Sequence, residues 1–203
     1  MKRKISINFI LCFVIVFSIM LTACKDDSES GKSDRSSIEI KKDGSVISTM
    51  VEDFNESYYS IDELREMTEN EINAFVVSNG ENTASLKSID KDGEKVKLVI
   101  KFASASDYAH FNNETLVYET VSEARLSGQI DVNSLVDKDG NAIDSEKVDK
   151  LENKHVIISG SKNIISVPYK IKYVSGGISL VDKNTADFSA VADDTAVCMV
   201  LDK

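Results

Sequence analysis

Few side chains in this sequence combine a reactive type with a spacing suited to chemistry. The two histidines, His110 and His155, lie 45 residues apart, and neither has a second ligand beside it at metal-binding spacing, so a zinc site is not expected. His110 falls on a short helical stretch and His155 just before an apolar strand, both ordinary structural or solvent-facing positions. Asp137-Lys138-Asp139-Gly140-Asn141 opens in the manner of a calcium loop. That loop needs Gly sixth and Glu twelfth, whereas here Gly is fourth and Val148 twelfth, so a hairpin turn is the better reading. Ser88-Ile89-Asp90-Lys91 and Ser159-Gly160-Ser161-Lys162 both have the spacing Ser-x-x-Lys, but neither opens a helix and no Lys-Thr-Gly or Ser-Asp-Asn follows. The acid pairs Glu52-Asp53 and Asp193-Asp194 are of the type that glycoside hydrolysis uses, with two carboxylates flanking a sugar. Among 34 acidic residues an adjacent pair is first of all solvated surface, and with no Trp the usual sugar-stacking platform is missing. The best aromatic group is Phe54, Tyr58 and Tyr59, which helix-end and core packing explain.

The N-terminus carries a different kind of chemistry. Lys2, Arg3 and Lys4 precede an apolar run, Ile5 to Leu21, which ends in Leu21-Thr22-Ala23-Cys24. A basic segment, an apolar segment and small residues in that order form a secretory signal. The last four residues match the lipobox at each position, so residues 1 to 24 resemble the leader of bacterial lipoproteins. That resemblance implies diacylglycerol transfer to the Cys24 thiol and cleavage before Cys24, with N-acylation of the freed amine in many bacteria. Two acyl chains suffice for stable anchoring, so the expected location is the outer face of the cell membrane, with the outer-membrane surface as the alternative. An uncleaved signal anchor is the competing reading of the same apolar run.

Loss of residues 1 to 23 removes three basic residues and no acids, and takes the formal net charge from −10 to about −13. Such a surface repels phosphate backbones, so nucleic acid is not an expected partner; the membrane is contacted through the lipid on Cys24. With Cys12 discarded and Cys24 acylated, Cys198 is left alone, and an intramolecular disulfide is excluded. It lies in Ala196-Val197-Cys198-Met199-Val200-Leu201, an apolar run where a free Cys acts as a small hydrophobe.

These residues need elements to hold them. Lys25 to Ser37 contains no apolar side chain and reads as a disordered tether, making 24–37 the lipidated Cys plus linker. From Ile38 the pattern becomes short alternating runs. Ser37 to Ser48 is expected as a β-hairpin around Asp43-Gly44, and Lys-Asp-Gly returns at 91–93 and 138–140 as independent turns. Ser60 and Glu63 mark a capping box, Tyr59 and Leu64 a hydrophobic staple, and Asn79-Gly80 the stop of the helix between. Glu94 to Phe102 alternates as a half-buried strand, and Ser104 opens a short helix through Tyr108 and Phe111. Strands are expected at 116–121, 156–158, 164–167, 169–174, 178–181 and 195–201, with a helical stretch around 144–151 and Pro168 at a strand end or edge.

The expected fold is therefore α+β: an N-terminal hairpin, capped helix, strand and short helix, then a mainly antiparallel β-rich half. Residues 38–203 form one domain, or two subdomains divided near 112–115. Glu52-Asp53-Phe54, Tyr58-Tyr59, Asp107-Tyr108-Ala109-His110-Phe111-Asn112 and Lys172-Tyr173-Val174-Ser175 resemble phrases of uncharacterised lipoproteins from Gram-positive clostridia. The resemblance implies a Gram-positive membrane and no particular activity. The functional expectation is a non-enzymatic binding or interaction module for an envelope protein or carbohydrate, with no cofactor, no metal and no catalytic residue assigned. A small cell-envelope hydrolase using acidic residues is the alternative, and a transporter-associated solute receptor the third reading.

Overall fold

The computed structural model describes residues 34–192 and 195–203. The expected signal peptide, Cys24, the expected tether up to residue 33 and the Asp193-Asp194 pair lie outside the described residues. The described residues form one compact unit of α+β architecture.

The larger sheet has seven strands in the order β3-β4-β2-β1-β7-β10-β9. Its N-terminal part is β1 (Ser37–Ile40), β2 (Val46–Asp53), β3 (Ala84–Asp92) and β4 (Lys95–Phe102). From the second half of the chain come β7 (Ile164–Ser166), β9 (Ser179–Leu180) and β10 (Thr185–Asp187). The joint is a parallel pairing of β1 with β7, Ile38 opposite Ile165, so the sheet takes strands from both sides of residues 112–115. A second sheet of four strands runs β5-β6-β11-β8, from β5 (Leu116–Thr120), β6 (His155–Ser159), β11 (Val197–Leu201) and β8 (Ile171–Val174).

Helix α1 (Ile61–Asn79) begins and ends where its sequence signals lie. Ser60 caps it by accepting from the Glu63 amide at 3.3 Å, and Tyr59 and Leu64 meet in one apolar cluster with Phe54, Ile89 and Val96. Further along, Ile72, Phe75 and Val76 pack on the main core together with Ile38, Ile40, Ile100 and Phe102 from the sheet. Helix α2 (Ala105–Asn112), capped by Ser104, adds Ala105 and Tyr108 to that core. The four-stranded sheet is covered on both sides. Leu116, Ile157, Met199 and Leu201 face the main core, while Val156, Ile158, Cys198 and Val200 face a second cluster with Leu135 and Leu151. This double burial explains the uninterrupted apolar run around Cys198, since a strand covered on both faces has no polar side.

Several expectations need adjustment. Helix α3 (Val121–Leu126) follows β5 directly, with a full capping box between Thr120 and Glu123. The region 144–151 is a single turn, α4 (Ser145–Val148), followed by a 3-10 turn at Asp149–Leu151. The tether is shorter than its composition implies: Ser37 is already in β1, Ser36 Oγ accepts from the Val51 amide at 3.0 Å, and Arg35 pairs with Asp187 at 2.9 Å. Polar residues order here because strand pairing and an ion pair, not apolar burial, hold them.

Candidate functional site

Two clefts adjoin at the end of the larger sheet where β1 turns into β2. The first, about 650 Å³, lies between α1 and β3, the sheet's edge strand. Ile72 and Val76 from the helix and Ala84 and Leu86 from the strand give it an apolar wall, and Glu69, Asn73, Glu81 and Asn82 supply polar groups. The second, about 560 Å³, lies against the β1–β2 turn, lined by Lys41, Lys42, Asp43, Ser45 and Ile47. Lys87 and Lys101 line both clefts and so join them.

The sheet register explains this convergence. Strand side chains alternate between faces, so Val96, Leu98, Ile100 and Phe102 turn to the core side while Lys95, Lys97 and Lys101 turn away. Lys101 stands opposite Ile47 on β2 and Ser85 on β3. The β3–β4 register shifts between Leu86 and Ser88, making Lys87 the extra residue of a bulge. A bulge re-aims the side chain it carries, and Lys87 lines the same clefts as Lys101. Lys42 comes from the hairpin turn, where Gly44 takes φ +83°, a left-handed conformation suited to glycine.

Positive charge is therefore gathered at one place on a chain of net charge −10. Lys41 is satisfied by Glu39 at 2.5 Å. Asp43, the acid of the second cleft, accepts from Ser45 Oγ at 2.7 Å and from the Ser45 amide at 3.0 Å. Those hydrogen bonds, aided by the charge of Lys101, hold its carboxyl below the ordinary value. Among the described residues, Lys42, Lys87 and Lys101 have no ion-pair partner. Sequence reasoning missed this site, because its lysines sit on a turn, a bulge and a strand that only pairing brings together.

The residues singled out from the sequence are dispersed. His110 is exposed, its ring edge-on to Phe75 at 5.5 Å. His155 lies at the start of β6 against the Tyr118 ring at 5.0 Å, with Nε2 3.3 Å from Lys203 Nζ. Burial and the Lys203 charge push the His155 pKa down. Asp137 closes a turn, its Oδ1 accepting from the amides of Asp139 and Asn141, both at 2.9 Å. Ser159 ends β6 and accepts from the Ser161 amide, while Ser88 lies within β3; neither opens a helix. Glu52 and Asp53 are consecutive on β2 and point to opposite faces of the sheet, so they do not flank one bond. Phe54 is buried and stacked with Tyr59 at 5.0 Å, but Tyr58 is 74 % exposed, contrary to the expectation of core packing. Cys198 is buried, and that burial pushes its thiol pKa up.

Among the described residues no three His, Cys, Asp or Glu side chains gather as a metal-binding group, and no helix is long and apolar enough to cross a membrane. Comparison with family models, with curated proteins and with solved structures returns no match.

Proposed function

We propose that this protein is a lipoprotein anchored through Cys24 on the outer face of the cell membrane, and that its folded domain is a binding module without catalytic activity. The leader residues 1 to 24 support the anchor. The observation that carries the binding reading is the pair of clefts joined at Lys87 and Lys101, with an apolar wall and convergent polar groups. Such concave sites with a few placed polar groups are where small ligands bind. An envelope carbohydrate fits this lining because its amides and charges can hydrogen-bond to hydroxyl groups.

The alternative of a small hydrolase draws on Glu69 and Glu81, two carboxylates lining the same cleft. A thermal-shift screen of envelope sugars, peptides and divalent ions separates the readings when paired with product analysis. A ligand at a hundred times its Kd stabilises by about 2.7 kcal/mol, which raises the melting temperature of a domain this size by roughly 5–10 °C. A shift with ligand recovered intact is expected; ligand cleaved by wild type and left intact by Glu69→Gln would overturn the non-enzymatic reading. For the anchor, Cys24→Ser is expected to abolish acyl labelling and release the protein, and retained labelling would refute it.

A further inference from the structure

We infer that the junction of the two clefts is a phosphate site, and that its ligand is a phosphorylated sugar or polyol whose hydroxyl-bearing body lies along the α1–β3 cleft. This rests on the binding-module reading and specifies its ligand. Lys42, Lys87 and Lys101 line connected space, and among the described residues none of them is within ion-pair distance of a carboxylate, although Asp43 lines the second cleft close enough to feel the Lys101 charge; Lys101 is half-buried there. Like charges held together in a recess repel one another, and an anion relieves that repulsion. Lysine binds phosphate as a point charge, able to meet a tetrahedral oxyanion from any side.

The body of the ligand follows from the other end. Glu69, Glu81, Asn73 and Asn82 present carboxylates and amides along the first cleft, all capable of accepting from hydroxyl groups. A ligand carrying phosphate at one end and hydroxyls along its length satisfies both ends at once. An anionic membrane surface does not, because about −13 of mature net charge opposes approach to a planar negative layer.

The test uses the mature lipidated protein in neutral detergent, titrated calorimetrically with glycerol 3-phosphate, glucose 6-phosphate, glucose, inorganic phosphate and detergent micelles carrying phosphatidylglycerol or, for comparison, phosphatidylcholine. The variants are Lys87→Gln, Lys101→Gln, the double variant, and Lys170→Gln on the exposed connection before β8 as a control. Both lysines are solvent-accessible, so the fold should persist; an unchanged ligand-free melting temperature verifies it. The phosphorylated polyol or sugar is expected to bind more tightly than inorganic phosphate and at least tenfold more tightly than glucose. Each single Gln change should weaken it roughly 3- to 10-fold and the double change more than tenfold, with Lys170→Gln unchanged and affinity falling as salt rises. Equal affinity in the double variant overturns the inference, as does a response to phosphatidylglycerol micelles, and not to phosphatidylcholine ones, with no soluble phosphate ester bound. Glucose binding that survives in the double variant overturns the phosphate site while leaving the binding module standing. No binding of any probe, the lysine variants behaving as wild type, overturns the phosphate site alone, and a negative result in the broader ligand screen is then what removes the module reading.

Discussion

Replacing Phe102 by Ala should test the packing that holds the site in place. Phe102 is fully buried at the end of β4, next in sequence to Lys101, with its ring centroid 5.5 Å from Tyr108 at 88° and 5.3 Å from Phe111. It thus ties the sheet to α2, and through Phe111 and Phe75 to α1 as well. Truncation of an enclosed Phe costs about 3–5 kcal/mol in transfer and cavity energy. The edge-to-face Tyr108 ring adds about 0.5–1.5 kcal/mol beyond buried area and the tilted Phe111 ring packs beside it, which places the expected loss in the upper part of that range. Against a total of about 5–15 kcal/mol this is a large fraction. With a urea m-value near 2 kcal/mol/M, the unfolding midpoint should fall by about 2 M. A cycle with Tyr108→Leu should return a coupling of about 0.5–1.5 kcal/mol. A loss below about 1 kcal/mol at unchanged m would refute the reasoning, because no enclosed ring of this size leaves so little behind.

The ordering of Arg35 predicts a pH signature. Partial burial pushes the Asp187 carboxyl up, but hydrogen bonds from Arg35 and Ser189 and the Arg35 charge outweigh it and hold the pKa below the ordinary value. A depressed folded pKa contributes stability that is present above the unfolded value of about 3.9 and is lost as pH falls through the folded one. Asp187→Asn should therefore cost a few tenths to about 1 kcal/mol at pH 7, the worth of a partly exposed pair. The stability difference from wild type should shrink as pH falls through the depressed folded pKa of Asp187, and a difference that grows as pH falls below about 3.9 would contradict the assignment. Cys198 should resist alkylation at pH 8 in the native protein and react fully in denaturant, since burial both blocks access and raises the thiol pKa. Rapid native labelling would show that β11 is not covered on both faces.

What the sequence made legible was local. Ser60, Glu63 and Asn79-Gly80 bound α1 because caps act within one turn of chain, and Asp43-Gly44 closes the first hairpin because positive φ is a single-residue demand. Strand β3 was missed because its residues Ala84 to Asp92 mix Ser, Lys and Asp without clean alternation, and the bulge at Lys87 breaks the period of two. Strand β10, three residues long, leaves too little pattern to read. The same limit hid the site. Lys42, Lys87 and Lys101 are each unremarkable in sequence, and their proximity is a consequence of register, which pairing across 59 residues of chain decides.

The site also shows why net charge is a poor guide to what an acidic protein binds. At physiological ionic strength the screening length is about 8 Å, so exposed charges beyond that distance contribute little to the potential in a recess. On α1, Glu63 and Asp62 lie six and seven residues before Glu69, roughly 9–10 Å along the axis at 1.5 Å per residue. Their effect at the lysines is mostly screened, whereas Lys87 and Lys101, together with Asp43, Glu69 and Glu81, line the clefts and act at short range. The sign of the salt dependence separates these two regimes. If the overall negative charge governed encounter with an anion, added salt would screen repulsion and strengthen binding. If the lysine recess governs it, added salt screens attraction and weakens binding, so the direction of that slope reports which charges the ligand meets.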